Sequence, residues 1–296
     1  MYRGKHIRRR GLWVVATWLG IILAALLVLM PFIEPYWLQV DRHDLVCGDL
    51  QEDVRQLRVV YLSDIHQGAF PWFSKARVEG LVNQIKKLNP DIVILGGDYS
   101  SDPESAIRFF EDLPKFSATY GVYAVPGEND RDPDGAFLED LRKAMKNKGI
   151  TLLDNKVERV MGVQSNTYVI GIDDYLNGHP AISTVSRQVK SSDFVILACH
   201  NPAIIGDLSR SALSADGRSN WFDLALFGHT HGGQLPGNMN LLGIADEVEQ
   251  ASHREGWIEE SRGTPMLISR GIGTTVLPIR ILCRPQLHLI VIRSAQ

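Results

Sequence analysis

Cysteine is scarce in this chain. Cys47, Cys199 and Cys283 make three in 296 residues, an odd number with no C-x-x-C spacing, so no disulfide framework is indicated. Cys199 and Cys283 sit in apolar runs and read as small core residues. Bulk positive charge is also missing: the net charge is -3, which gives no footing for a nucleic-acid partner. Internal repeats and low-complexity segments are absent, so neither a solenoid nor a disordered chain is expected.

Two local absences shape the N-terminus. Residues 1–11 contain Arg3, Lys5, Arg8, Arg9 and Arg10 and no acid, and Leu12 to Ile33 contains no charge of either sign. At 1.5 Å per residue the uncharged stretch is long enough to span a bilayer. Trp13, Trp18, Tyr36 and Trp37 lie near its two ends, where amphipathic rings prefer to sit. A cleaved signal peptide would need a small-residue site after a shorter apolar run, but the chain continues Met30-Pro31-Phe32-Ile33-Glu34-Pro35. The expectation is an uncleaved single-pass anchor over 12–33 after a basic tail over 1–11. Positive charge before the span predicts a cytoplasmic N-terminus and an extracytoplasmic body. Twin-arginine export is a weaker reading of Arg8-Arg9-Arg10, because its flanks are poor.

What remains has ordinary globular composition, 45% hydrophobic, and is long enough for one large domain. Residues 34–56 read as a connector, with the body over 57–296. Val59 to Leu62 is an apolar run of strand length. Ser74 is a plausible helix cap, and Val78, Leu81, Val82, Ile85 and Leu88 follow at helical spacing until Asn89-Pro90. Asp91 to Leu95 is the next strand, completing a β-α-β unit. Helices over 103–113 and 134–148 flank a strand at 122–125. TLLD, KVERV and TYVIGID are then short strands in close succession, and the chain from Phe194 is mostly strands and loops. Asp207 to Asn220 reads as a polar surface loop, and Leu235 to Gly256 as a long excursion beside the last motif, with Met239, Leu241, Leu242 and Ile244 packing locally or, as the weaker reading, meeting an apolar substrate. Alternation followed by strand runs predicts an α/β fold of two packed sheets with helices outside.

Four apolar strands deliver ligand-type side chains at their carboxyl ends, which is where open α/β sheets bind ligands. VVYLSDIH ends in Asp64 and His66, ILGGD in Asp98, FVILACH in His200, and LALFGHTH in His229 and His231. A lone D-x-H is a weak signal, more often a turn carboxylate beside a surface histidine. Repetition on four strands points to a metal site of mixed carboxylate and imidazole donors, a set that suits Mn²⁺, Fe or Zn²⁺. Gly228, Gly232 and Gly233 read as turn residues beside the histidine pair. The remaining histidines, His6, His43, His179, His253 and His288, carry no motif.

In this order D-x-H, G-G-D, G-x-x-D, H-N-P and G-H-T-H-G-G resemble the calcineurin-like metallophosphoesterases, from about Leu57 to Ile292. The closing SRGIGTTVLPIRILCRP is similar to a small membrane-associated bacterial branch of that superfamily. The resemblance implies a four-layer α/β/β/α sandwich and two divalent metal ions between the sheets. It implies that Asp64, His66 and His231 hold one ion, that His200 and His229 hold the other, and that Asp98 bridges them. The implied chemistry is hydrolysis of a phosphodiester, pyrophosphate or phosphomonoester by a metal-bound hydroxide. Asp98, Asn129 and His200 are the residues expected nearest the reaction.

One motif departs from the family pattern. Where G-N-H-D or G-N-H-E is usual, this chain reads Gly127-Glu128-Asn129-Asp130. Aligned on Gly127 and Asp130, Glu128 takes the metal-ligand position and Asn129 the position of a histidine that meets phosphate or leaving group. Asn129 can donate a hydrogen bond but cannot act as a general acid. A one-residue slip would instead make Asn129 the ligand. The anchor and the family branch raise a lipid-linked pyrophosphate as substrate, such as the UDP-2,3-diacylglucosamine of lipid A synthesis. That substrate lies on the cytoplasmic face, against the topology expected above. The rival of another class is a degenerate fold used as a binding module, supported only by the altered motif.

Overall fold

The structure, a computed structural model, describes all residues except 1–3, 51–53, 55, 69–73, 133, 164–165, 236–253, 260–262 and 296. The long excursion after the last motif, including Met239, Leu241, Leu242, Ile244 and His253, lies outside the described residues.

Helix α1 runs Gly4–Ile33. Leu12–Tyr36 is long and apolar enough to cross a membrane, with a mean hydropathy of 2.6 and no buried residue in its most apolar window. The stretch expected as a connector holds a strand, β1 (Gln39–Cys47), paired in parallel along its length with β12 (Gln286–Ser294). Its inward side carries Asp41 and His43, residues poor in strand propensity, and each finds a partner. Asp41 Oδ2 accepts from Gln286 Nε2 at 2.7 Å, and Trp257 Nε1 donates to His43 Nδ1 at 3.0 Å. Charge on an edge strand also discourages pairing with another chain.

The first sheet has the order β1-β12-β2-β3-β4-β5, with β2 at Leu57–Leu62, β3 at Ile92–Leu95, β4 at Val122–Ala124 and β5 at Ile150–Leu152. Its pairs are parallel except β12 against β2. The second has the order β10-β11-β9-β8-β7-β6. Here β6 is Lys156–Arg159, β7 Thr167–Gly171, β8 Phe194–Ala198, β9 Leu224–Phe227, β10 Gly256–Glu259 and β11 Pro265–Ile268. Leu57, Val59, Tyr61, Ile92 and Ile94 meet Val169, Phe194, Ile196 and Leu226 in one core between the sheets.

Helices α2 (Lys75–Lys87), α3 (Pro103–Asp112) and α4 (Leu138–Asn147) cover the outer face of the first sheet, with Val78, Leu81, Phe110 and Leu141 packed on Val60 and Val93. The outer face of the second sheet carries α5 (Ile182–Ser186) and α6 (Ile205–Ser211), through Val185, Ile204 and Leu208. The layers are therefore α/β/β/α, and β3, β8 and β9 are wholly buried because each face is covered.

Two elements and one residue differ from expectation. Helix α4 starts four residues late, because Gly135 takes a φ of 70° and Asp132 accepts from Phe137 N, making a turn first. Helix α6 occupies the start of the stretch expected as a loop. Ile204, Leu208 and Ala212, four residues apart, put a buried stripe there. Ser214, in the same stretch, is buried and bonded to Arg218 and Asp216.

Candidate metal centre

The carboxyl ends of β2, β3, β4, β8 and β9 converge where the two sheets meet. All seven expected ligand residues come together there. Asp64, His66 and His231 form one group of donors, and Glu128, His200 and His229 a second. Asp64, Asp98 and His200 form a third that joins them, each group lying within 4.8 Å. His66 Nε2 and His231 Nε2 are 3.1 Å apart. Asp98 Oδ2 lies 3.4 Å from His66 Nε2 and 3.6 Å from His200 Nε2, between the first two groups.

The backbone is unusual at these positions. Asp64, His66, Asp98, His229 and His231 have φ values of 53°, 45°, 55°, 68° and 51°. Non-glycine residues seldom sit there, and such outliers gather at functional sites. Gly232 and Gly233 take positive φ as expected of turn residues, but Gly228 does not. Its reason is close approach: a Cβ there would lie 2.6 Å from Asp64 Oδ2. Gly271 likewise passes against Asp64, where a Cβ would be 2.5 Å from that residue's own Cβ.

The groups around the donors hold them from behind. His229 N donates to Asp64 Oδ1 at 2.9 Å, and Ser63 Oγ to Asp64 Oδ2 at 2.5 Å. Asp130, fully buried, accepts from the backbone N–H of Asp98, Tyr99 and Gly127 at 2.7, 2.9 and 2.8 Å. The sequence marked Asp130 only as an alignment point, yet it pins the Asp98 turn to the Gly127 turn. Arg280, also fully buried, reaches within 3.5 Å of His231 Nδ1, and Cys283 Sγ donates to His231 O at 3.2 Å. Nothing in the motif spacing foretold either contact.

The altered motif resolves into two different environments. Both oxygens of Glu128 face imidazoles: Oε1 is 2.8 Å from His229 Nδ1 and Oε2 is 3.0 Å from His200 Nε2. Asn129 instead turns to Asp98, donating Nδ2 to Oδ2 at 2.6 Å and its backbone N–H to Oδ1 at 3.0 Å. Of the other histidines, His288 is a buried core residue bonded to Ser269 Oγ, His43 packs on β12, and His179 donates its N–H to Asp173.

Whether these residues fit a metal is tested by the atoms left over. His200 Nδ1 lies 2.6 Å from the Gly96 carbonyl, so it carries the proton and leaves the Nε2 lone pair facing the cluster. His200 Nε2 and Glu128 Oε2, both buried atoms, lie 3.0 Å apart, and among the described residues neither makes a well-aligned hydrogen bond. Two lone-pair donors facing one point, behind a tautomer fixed by a carbonyl, fit a cation.

Residues 57–233, more than half of the chain, match the family model for calcineurin-like phosphoesterase. The chain belongs to that family. The phosphoesterase is 26% identical to the uncharacterized metallophosphoesterase YkoQ of Bacillus subtilis, over 88% of this chain and 95% of that protein. It is 28% identical to a zebrafish (Danio rerio) transmembrane protein with metallophosphoesterase domain, over 83% of this chain but 55% of that protein. Among solved structures, the phosphopantetheinyl hydrolase of Mycobacterium tuberculosis aligns with 78% of this chain and 98% of its own, at 10% identity and a TM-score of 0.43. That score is too low to carry anything across.

The electrostatics of this phosphoesterase ask for positive charge. Burial opposes ionisation of Glu128, but His200 and His229 outweigh it and hold the carboxyl well below its ordinary range. Burial also works against a charged His200, yet Asp98 and Glu128 raise its pKa well above normal. The carboxylates of Asp98 and Glu128 thus draw positive charge to the point that His200 Nε2 faces. His231 goes the other way: burial, then His66 and Arg280, hold it well below the usual imidazole value, so it presents a lone pair.

Proposed function

We propose that this protein is a membrane-anchored phosphoesterase that works with two divalent cations, its catalytic body outside the cytoplasm. The observation that carries the reading is the pair of buried lone-pair donors on His200 and Glu128, set beside a second donor group across Asp98. Asp64, His66 and His231 would hold one cation, His200, His229 and Glu128 the other, and Asp98 would touch both. When bound, such a pair lowers the pKa of a water and neutralises charge on the phosphoryl oxygens. The donor set admits Mn²⁺, Fe or Zn²⁺.

The chain's own residues narrow the substrate. Asn129 keeps its amide on Asp98, where it orients the shared carboxylate, and it has no proton to give a leaving group. Glu128 places an added anion next to the phosphate position, which disfavours dianionic monoesters. Phosphodiesters and pyrophosphates with stable leaving groups fit both conditions. A pyrophosphate carried by a membrane lipid belongs to that class.

The test is Asp98→Asn in the full chain. Elemental analysis should find fewer than two metal ions per chain, and hydrolysis of a nitrophenyl phosphodiester should be lost with them. Two fully occupied sites in the variant would remove Asp98 from its shared position. A binding module in place of an enzyme would carry little metal in the wild type.

A further inference from the structure

We propose that the loop 274–284 seats in the membrane interface beside the exit of α1, so that the metal-bearing end of the body rests on lipid. The proposal depends on the membrane-anchor reading above and not on the catalytic one.

The membrane boundary can be located on the chain. The apolar span ends at Tyr36. At the same level the loop is bonded to the end of the helix: Arg280 N donates to Pro31 O at 2.9 Å. Just beyond, buried Glu34 accepts from the backbone N–H of Leu282 at 2.9 Å and of Cys283 at 2.5 Å. Whatever surface surrounds α1 at Pro31 also meets residues 280–283.

The loop presents to that surface what a lipid interface takes up. Leu282 is 86% exposed, and Val276, Leu277, Tyr36 and Trp37 are exposed as well. The exposure is held in place. Gln234, fully buried, donates Nε2 to Thr275 O at 3.0 Å and to Leu277 O at 2.9 Å, and accepts from Thr275 N at 3.0 Å. The Arg280 guanidinium donates to the carbonyls of Gly273, Cys283 and Arg270. Val276 and Leu282 stand at φ of 58° and 53°. For bulky apolar side chains, one of them β-branched, that conformation is costly, and it persists where it serves a site.

Basic groups complete the face. The Arg284 guanidinium lies 3.7 Å from the Trp37 ring centroid, and that of Arg77 lies 5.0 Å from the Tyr36 centroid. Aromatic rings backed by arginine suit the headgroup layer, especially an anionic one. The same loop backs onto the site through Arg280 and Cys283 at His231. Seating it would bring the metal centre to the lipid surface.

The experiment uses the full chain in nanodiscs of phosphatidylcholine with phosphatidylglycerol. A nitrobenzoxadiazole label is attached at Val276→Cys or Leu282→Cys in a Cys47→Ser background. Met161→Cys, exposed in the turn at the amino ends of the parallel strands, is the aqueous control. Labels at 276 and 282 should lose most of the iodide quenching seen at 161 and gain quenching from a headgroup-level nitroxide lipid. Iodide access equal to that at 161 would overturn the proposal. Shielding from iodide without lipid quenching would also overturn it, since the cover would then be protein and not lipid. Each labelled protein is assayed on a soluble nitrophenyl phosphodiester. Aqueous labels with full hydrolysis leave the catalytic reading intact, and lipid-quenched labels in a protein whose wild type is inert refute only that reading.

Discussion

Replacing Glu128 by glutamine removes one negative charge from between two imidazoles and keeps the side chain's shape. In the wild type its oxygens lie 2.8 Å from His229 Nδ1 and 3.0 Å from His200 Nε2, with 19% of the side chain exposed. A unit charge about 4 Å away is worth about 4 kcal/mol at an effective dielectric constant of about 20. Counting the cation as a single effective charge, that is about three decades in dissociation constant at about 1.4 kcal/mol per decade. The loss should fall on one ion. Asp64, His66 and His231 form their own donor group and do not include Glu128. Equilibrium dialysis against buffered free Mn²⁺ or Zn²⁺, read by elemental analysis, should show one ion leaving long before the other. Asn129→Ala is the informative companion. In this geometry Asn129 only orients Asp98, so its removal should weaken binding by about one to two decades, as for other groups that hold a ligand from behind. Wild-type affinity at both sites in Glu128→Gln, with one ion lost in Asn129→Ala, would refute the assignment and make Asn129 the ligand.

Three further outcomes can be measured. Nitrophenyl phosphodiesters should be hydrolysed well and alkyl monoesters poorly. Asn129→His should narrow the gap by improving alkyl substrates up to about 10²–10⁴-fold, the range of general acid catalysis, and equal wild-type rates on both classes would contradict the argument. For topology, a cysteine replacing exposed Arg218 should react with a membrane-impermeant maleimide in intact cells, whereas labelling only after lysis would put the body in the cytoplasm. Burial, helped by nearby Asp49, raises the Asp223 carboxyl from its ordinary 3.8 to about 7, so it is neutral in the fold where the unfolded chain is already ionised. Its stabilising effect is full below about 3.8 and is lost as pH rises through about 7, by at most about 4 kcal/mol before solvent screening. Chemical denaturation at pH 5 and pH 8 should therefore show Asp223→Asn gaining on the wild type at the higher pH, and a constant difference would argue against the shift.

The parts of the site that were legible in the sequence share one signature: an apolar run of strand length ending in a carboxylate or imidazole. Asp64, His66, Asp98, His200, His229 and His231 all carry it, and all converge. Residues whose role depends on distant backbone were not legible. Asp130 looks like a turn residue until the N–H groups of Asp98 and Tyr99, more than thirty positions earlier, point at it. No spacing singles out Arg280, yet carbonyls of Gly273, Arg270 and Cys283 let it be buried whole. Strand β1 was hidden because its inward face is polar and its partner, β12, lies some 245 residues along the chain. Helix α6 was hidden by the serines around it, although its buried stripe of Ile204, Leu208 and Ala212 was present in the spacing.

The backbone gives a physical reason why the donors are aspartate and histidine at these turns. Five of the expected ligands stand at positive φ, in a region where most side chains are disfavoured. Aspartate and histidine are among the few residues enriched there, because a short polar group can bond to nearby backbone. The same two residue types supply hard oxygen and borderline nitrogen to a divalent cation. Backbone demand and ligand chemistry thus select the same residues. The glycines around them cannot be replaced at small cost, since Gly228 and Gly271 leave no room for a Cβ beside Asp64. Asp130 then ties two of the turns together through three N–H groups, so that they cannot relax singly. Were these residues to hold cations, a centre built this way would have its donors aimed beforehand, which lowers the reorganisation that binding would otherwise require.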